Sequence, residues 1–311
     1  MSEDTYSQRN FTNRGYAAAV GSALFLSLTA IFIRYLTQNF TIPALVLAFW
    51  REIFVASTLF LVFALLKPER LGGVKGHLLY LVGYGLVLAI FNALWTFSVT
   101  LNGAAVATVL AYSSAGFTVL LGWLILKEEL TFVKVLVVGL SLMGCALIVN
   151  AFDPTVWSLN NEGVVVGMAT GLLYAIYSIM GRSAAQRGLN TWTTLFYIFA
   201  FASLFMLSFN LLFGGLISGT AAKPADLFWL GNAWLGWVML LALAIGPTLM
   251  GFGLYNVSLR YLPSSTANLV VMIEPVFTAL VAFFLFGEIL TPVQILGGGL
   301  ILASVGLTRI K

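Results

Sequence analysis

One cysteine and one histidine are all that 311 residues supply of the two side chains most used for disulfides and metal sites. The lone Cys145 excludes an internal disulfide, and its apolar surroundings suit a small buried residue. His77 stands alone at a loop edge and no carboxylates cluster with it, so neither a metal nor another cofactor is expected. A phosphate-binding glycine loop is also missing, which argues against ATP-driven transport by this chain alone. Charge is the scarcest commodity: 8% of residues, against about 25% in soluble domains. A water-exposed surface cannot be built from that. Sixty per cent of residues are hydrophobic and the mean hydropathy is +1.01, so the lipid bilayer is the expected surrounding. The net charge of +4 is too dispersed to form a nucleic-acid surface. The polar opening MSEDTYSQRNFTNRG lacks a short apolar core with a cleavage site, so the first apolar stretch is expected to be a retained span.

A membrane-crossing helix needs about 20 predominantly apolar residues. Stretches of that length run at 14–35, 43–66, 77–99, 104–126, 131–151, 162–183, 192–215, 234–258, 263–286 and 291–309. Turn residues or charges separate them, among them Lys67-Pro68, Asn102-Gly103, Asp153-Pro154 and Leu262-Pro263. Basic residues provide an independent check, because they accumulate in cytoplasmic loops. With the N-terminus in the cytoplasm, Arg9, Arg14, Lys67, Arg70, Lys75, Lys127, Lys134, Arg182, Arg187, Arg260, Arg309 and Lys311 share that side. Lys223 alone falls in an outer loop, while Arg34 and Arg51 lie within or at the end of spans. Ten spans with both termini cytoplasmic follow.

The chain also repeats. Ala115–Leu147 and Pro275–Leu307 align without a gap at an offset of 160, with twelve of 33 positions identical. The informative identities are Phe117-Thr118 with Phe277-Thr278, Glu128 with Glu288, Thr131 with Thr291 and Gly139 with Gly299. Five spans per copy turn the second copy upside down, the trace of an inverted-repeat transporter. The expected fold is all-α: a polytopic membrane protein of ten transmembrane helices in two inverted five-helix repeats, 14–151 and 162–309.

Several segments resemble the drug/metabolite transporter superfamily, specifically proteins made of two EamA-type domains. They are LAFWREIFVAS around Arg51, the hairpin FSVTLNGAAVATVL with its counterpart YNVSLRYLPSSTANLV, and the two repeat ends GWLILKEELTFVKVLVVGLSLMG and IEPVFTALVAFFLFGEILTPVQILGGGLILASVG. The resemblance covers about residues 15–309 and implies a metabolite or drug transporter, with no particular substrate. The first half departs from it at Ala115, where a proline is common in the family.

Ionisable groups within spans are costly and face the bundle interior or a wet cavity. Three qualify: Arg51 and Glu52 in span 2 and Glu274 near the middle of span 9. Pro275 removes a backbone donor beside Glu274, and Gly246-Pro247 sits at a similar depth in span 8. Helices interrupted near the midplane are the best sequence pointer to a transport site, so Gly246, Pro247 and Pro275 are candidate kink or gating residues. Glu274 can bind a substrate ammonium group, exchange a coupling proton, or simply hold the kink by a hydrogen bond. Arg51 can receive a carboxylate, pair with a glutamate, or snorkel to the interface. Glu52 points about 100° away from it and is expected to use a different partner. Asn92, Trp95, Tyr112, Tyr174, Tyr177 and Tyr255, with Asn256, form a polar-tipped aromatic set near the midplane that suits either packing or an amphipathic solute. Trp229, Trp234 and Trp237 read as an outer interfacial belt. Gly163, Gly167 and Gly171, and Gly299 with Ala303, are stripes that allow close helix approach. Glu128 and Glu129 beside Lys127 read as a solvated helix cap.

The expected function is secondary transport, not enzymatic catalysis: export of small organic metabolites by alternating access across a prokaryotic cytoplasmic membrane. Amino acids, including aromatic ones, lead. Drugs or sugar-like solutes are the second transport reading, and a channel or polytopic membrane enzyme the rival of another class. Protons are the coupling ion Glu274 would serve.

Overall fold

The computed structural model describes residues 3–72, 74, 76–153, 161–217, 219–286 and 290–309. Glu288, Lys75, Lys311 and the inter-half loop 154–160 lie outside them. Eight helical spans are long and apolar enough to cross a membrane, and two shorter apolar helices, α6 (Phe132–Ile148) and α13 (Pro292–Leu307), complete ten. No strand occurs among the described residues. Leu65, Leu79, Phe132 and Phe284 stand out on the perimeter, an apolar rim suited to lipid and not to water.

The spans are less uniform than hydropathy implies. Span 1 is two helices, α1 (Glu3–Ser27) and α2 (Thr29–Phe40), interrupted at Leu28. α3 (Ala44–Leu66) is a single span ended by Lys67-Pro68. Spans 3 and 4 are α4 (Leu78–Tyr112) and α5 (Ser114–Leu126), and helical bonding in α4 continues through the expected Asn102-Gly103 turn. The chain nevertheless reverses there. Tyr80 and Asn102 bond to Met180 and Gly163 of α7 (Asn161–Gln186) in antiparallel order, whereas Leu110 and Ser113 meet Gly167 and Gly171 in parallel order. After α8 (Thr191–Leu212), span 8 is α9 (Trp234–Leu243), a π-helical stretch Ala244–Met250 that holds Gly246-Pro247, and α10 (Gly251–Tyr261). Span 9 is α11 (Ser264–Val271) and α12 (Glu274–Phe286), separated by Met272-Ile273.

Repeat identities have local causes. Thr131 and Thr291 cap the last helix of each half: Thr131 accepts from the Lys134 amide, and Thr291 forms a capping box with Gln294. Gly139 and Gly299 face open space, and nothing in the packing explains their identity.

The halves wind through one another. The most extensive pairings are α4 with α7, α6 with α13, α1 with α10, α4 with α8 and α3 with α8, all between halves. Exchanging the copies turns α4–α7 into the pairing of spans 8 and 1 and leaves the pairings of spans 2 with 7 and 5 with 10 unchanged. That invariance is the inverted repeat seen in packing. Without a hydrophobic drive between helices in lipid, small residues let them close up. At the α6–α13 crossing a Cβ on Gly144 would lie 2.6 Å from the Gly297 carbonyl oxygen, and Ser141 and Ser304 hydroxyls meet at 2.6 Å. The Gly163/Gly167/Gly171 stripe packs on α4 as expected. Gly299 and Ala303 do not: the contact face of α13 is Gly297, Ile301 and Ser304, one turn-step away.

Two faces result. Helix ends bearing basic residues gather at one, where the Tyr16 hydroxyl donates to the Thr308 carbonyl (2.8 Å), Arg182 Nη1 donates to the Leu259 carbonyl (2.8 Å) and Arg187 lies over the Tyr80 ring. At the opposite face Trp50 Nε1 donates to Leu227 (2.6 Å), Trp229 Nε1 to Phe40 (3.0 Å) and Gln294 Nε2 to Ile148 (3.1 Å). Of the expected tryptophan belt, Trp229 and Trp234 are exposed there, while Trp237 packs edge-on against Trp50.

Candidate functional site

A cavity of about 380 Å³ lies where the interrupted spans meet. Its deep wall is built from the breaks: Leu26 and Thr29 flank the Leu28 interruption, Tyr112 ends α4, Thr248 belongs to the π-helical stretch, and Glu274-Pro275 begins α12. The remaining wall, including Ile33, Val149, Leu290 and Gln294, runs toward the face opposite the basic one. Pro275 sits in the first turn of α12, where its missing amide hydrogen has no helical partner to lose. The same break occurs in the first half at Ser113, 160 residues before Ile273, although that half has Ala115 and no proline. The interruption is therefore a property of both copies. The proline reveals it in one and is not its cause.

Chemically the two breaks differ. Glu274 interacts with the Tyr112 hydroxyl across the cavity, while its counterpart Ser114 is buried with a hydroxyl that has no hydrogen-bond partner. Thr278, one turn on, returns its hydroxyl to the Glu274 carbonyl (3.1 Å). Thr248 does the same for Leu243 (3.0 Å) in the π-helical stretch. These hydroxyls answer carbonyls that irregular helix leaves exposed at mid-membrane depth.

Arg51, Glu52 and Asn92 form one buried unit. Arg51 Nη2 donates to Asn92 Oδ1 (2.7 Å), and Asn92 Nδ2 donates to Glu52 Oε1 (2.7 Å). Glu52 is fully buried behind the wall, whereas Arg51 and Asn92 line the cavity. The expectation of separate partners is corrected: a single amide reaches both, because α4 crosses α3 between the two side-chain directions. Arg51 does not snorkel, being 5% exposed. Its Nε and Glu52 Oε2 are buried without hydrogen bonds, so the unit is balanced in charge and incomplete in bonding.

Aromatic rings close the sides. Phe91 stacks on Tyr174 at 5.2 Å between centroids, with Trp95 and Phe252 nearby on the wall. Of the residues singled out from sequence, Glu274, Arg51, Asn92, Trp95, Tyr112, Tyr174 and Pro275 meet at this cavity. Tyr177 and Tyr255 do not line it. They lie beneath, toward the basic face, where Asn256 Nδ2 donates to the Tyr177 hydroxyl (2.7 Å) and the Tyr255 and Ser178 hydroxyls meet at 2.6 Å. Gly246 and Pro247 also stand off the wall and act through the π-helical backbone that presents Thr248. Sequence reasoning missed Leu26, Thr29, Ile33 and Gln294: span 1 carries no proline at its break, and Gln294 lies just after Pro292 at the start of the last span, away from any interruption.

A bundle of ten spans, two inverted copies and a cavity at their breaks is the setting in which relatives become informative. The model of the EamA-like transporter family matches residues 13–150 and again 161–310. The chain belongs to that family. An uncharacterized transporter of Archaeoglobus fulgidus is 27% identical over 295 residues, covering 94% of each chain. The threonine/homoserine exporter RhtA of Escherichia coli K12 is 27% identical over 250 residues, 79% of this chain and 76% of that protein. A solved crystal structure superposes with a TM-score of 0.75 at 16% identity over 95% of this chain and 96% of that one, which shows the fold alone. This EamA-like protein is an integral membrane protein of a transporter family, and its solute is a small molecule.

Proposed function

We propose that the chain exports small organic metabolites by alternating access, with amino acids, aromatic ones included, as the leading class. The observation that carries this is a cavity with a buried arginine and a carboxyl on its walls, set between aromatic rings. An amino acid at neutral pH offers a carboxylate to Arg51, an ammonium to Glu274 and a side chain to Phe91, Trp95 and Tyr174. A volume of about 380 Å³ lies at the small end of ligand sites, which run from roughly 300 to 1,000 Å³. It suits one small solute. The likeness to a threonine/homoserine exporter supports the same class. The distribution of basic residues supports a cytoplasmic membrane with the basic face and both termini inside, so the cavity opens outward. Glu274 is the group to exchange a coupling proton. The aromatic wall also favours amphipathic drugs as a second transport reading.

Flux in proteoliposomes with labelled amino acids, with and without a pH gradient, tests the proposal. Saturable flux of at least one amino acid is expected. No saturable amino-acid flux, beside clear movement of a cationic drug, would overturn the substrate class and leave the second reading.

A further inference from the structure

We infer that Glu128 is the gate residue that holds the basic side of the bundle shut; this rests on the alternating-access reading. The sequence suggests a solvated cap at its own junction. Instead the Glu128 carboxylate reaches across to the other half and takes four hydrogen bonds at the start of α11. The Ser264 amide and hydroxyl both donate to Oε1 at 2.6 Å, and the Ser265 amide and hydroxyl donate to Oε2 at 3.2 and 2.5 Å.

The local chain is shaped for this. Lys127 adopts a left-handed conformation (φ 55°), which turns the chain so that the Glu128 amide bonds back to the Gly122 carbonyl (3.0 Å). The carboxylate then lies over Gly122, where a Cβ would come within 2.8 Å of Oε2 and 3.3 Å of the Ser264 hydroxyl. A negative charge at a helix N-terminus is also favourable in itself. Arg182 on α7 is the cation that interacts with Glu128 from a neighbouring element.

What lies behind this fastening is polar, which a permanent seal has no need to be. Asn268, one turn further along α11, donates to the Tyr255 hydroxyl at 3.4 Å, and its own buried Oδ1 has no partner. Tyr255 meets Ser178, and Asn256 joins Tyr177 to Tyr84. Buried polar groups are costly unless satisfied. As the collapsed lining of a path they have a use: release of Glu128 would open it from the basic face to the cavity floor at Tyr174.

The two copies are unequal here. At an offset of 160, Ser264 and Ser265 correspond to Ala104 and Ala105, which have no hydroxyls to offer the equivalent carboxylate of Glu288.

The test uses the full chain in lipid nanodiscs with Cys145, the sole and fully buried cysteine, replaced by alanine. One reporter is Ser178→Cys, behind the fastening; the other is Thr278→Cys, on the cavity wall. A polar maleimide is the probe. Glu128→Gln is expected to raise labelling at 178 about tenfold and lower it at 278, since tenfold corresponds to 1.4 kcal/mol, no more than one charge-assisted hydrogen bond. Ser264→Ala with Ser265→Ala, which keeps the carboxylate and both amides, should shift both sites the same way by less. No change at 178, or a rise at both sites as a merely loosened fold would produce, overturns the gate. Reciprocal labelling in a chain whose parent moves no solute would uphold the gate and refute the transport reading; flux without reciprocity would do the reverse.

Discussion

Replacing Asn92 by leucine, which has nearly the same shape, removes both hydrogen bonds that tie Arg51 to Glu52. Two scales bound the outcome. An ordinary polar contact between membrane helices is worth about 0.6 kcal/mol, so two neutral bonds would forfeit about 1.2. Removing one member of a buried charged pair costs roughly 3–5 kcal/mol, because the other ion is left in low dielectric without compensation. Here both ions are buried, each already has one unsatisfied atom, and their side-chain directions keep them from closing on one another. The two charges still attract one another once the amide is gone, so the loss lies between these scales, and Asn92→Leu is expected to lose about 1–3 kcal/mol, the cost of leaving buried polar groups unsatisfied. Equilibrium unfolding in mixed micelles, followed by tryptophan fluorescence, reads it. Glu52→Gln alone and combined with Asn92→Leu completes a double-mutant cycle, in which strong coupling is expected because both changes disable one unit. A loss below about 1 kcal/mol for Asn92→Leu would show that the two charges find other partners and would refute the shared-amide account.

Other outcomes are expected from the same geometry. Arg51→Met with Glu52→Met removes both charges together, so stability should return to within about 1 kcal/mol of the parent while amino-acid uptake into proteoliposomes fails. Glu274→Gln keeps the size of a side chain whose partner is a tyrosine hydroxyl, so unfolding should shift by less than about 1 kcal/mol; flux should become insensitive to a pH gradient, and undiminished gradient dependence would return Glu274 to a purely structural role. Gly144→Ala forces a methyl against the Gly297 carbonyl, and a destabilisation of about 1–3 kcal/mol should appear in the same unfolding assay.

Much of the fold was legible because the bilayer imposes long apolar runs and segregates basic residues. Both signals survive even where the helices are irregular. The interruptions were only half legible. Pro275 and Gly246-Pro247 announce theirs, whereas Leu28 and Ser113 break helices with residues that carry no such signature. For that reason Leu26 and Thr29 were missing from the expected site. Depth along a helix was readable for Tyr177 and Tyr255, but rotation about it was not: both lie near the right level and point beneath the cavity floor. Glu128 shows the limit most clearly. Its partners are 136 and 137 residues away, and nothing near it in the chain foretells two serines at the start of another half's helix.

The crossing of α6 and α13 has a consequence for how such a molecule could move. Ser141 touches Ser304, and carrying that pair across the repeat gives Ile301 against Gly144, a contact that is also present. The crossing is thus its own image. If the two copies exchange conformations as the bundle opens first to one side and then to the other, a contact such as that of α4 with α7 must be traded for its counterpart, but this one is already both. On the alternating-access proposal it would be the part that stays still. A disulfide installed between Ser141→Cys and Ser304→Cys should leave turnover intact, while a crosslink from position 128 to 264 should stop it.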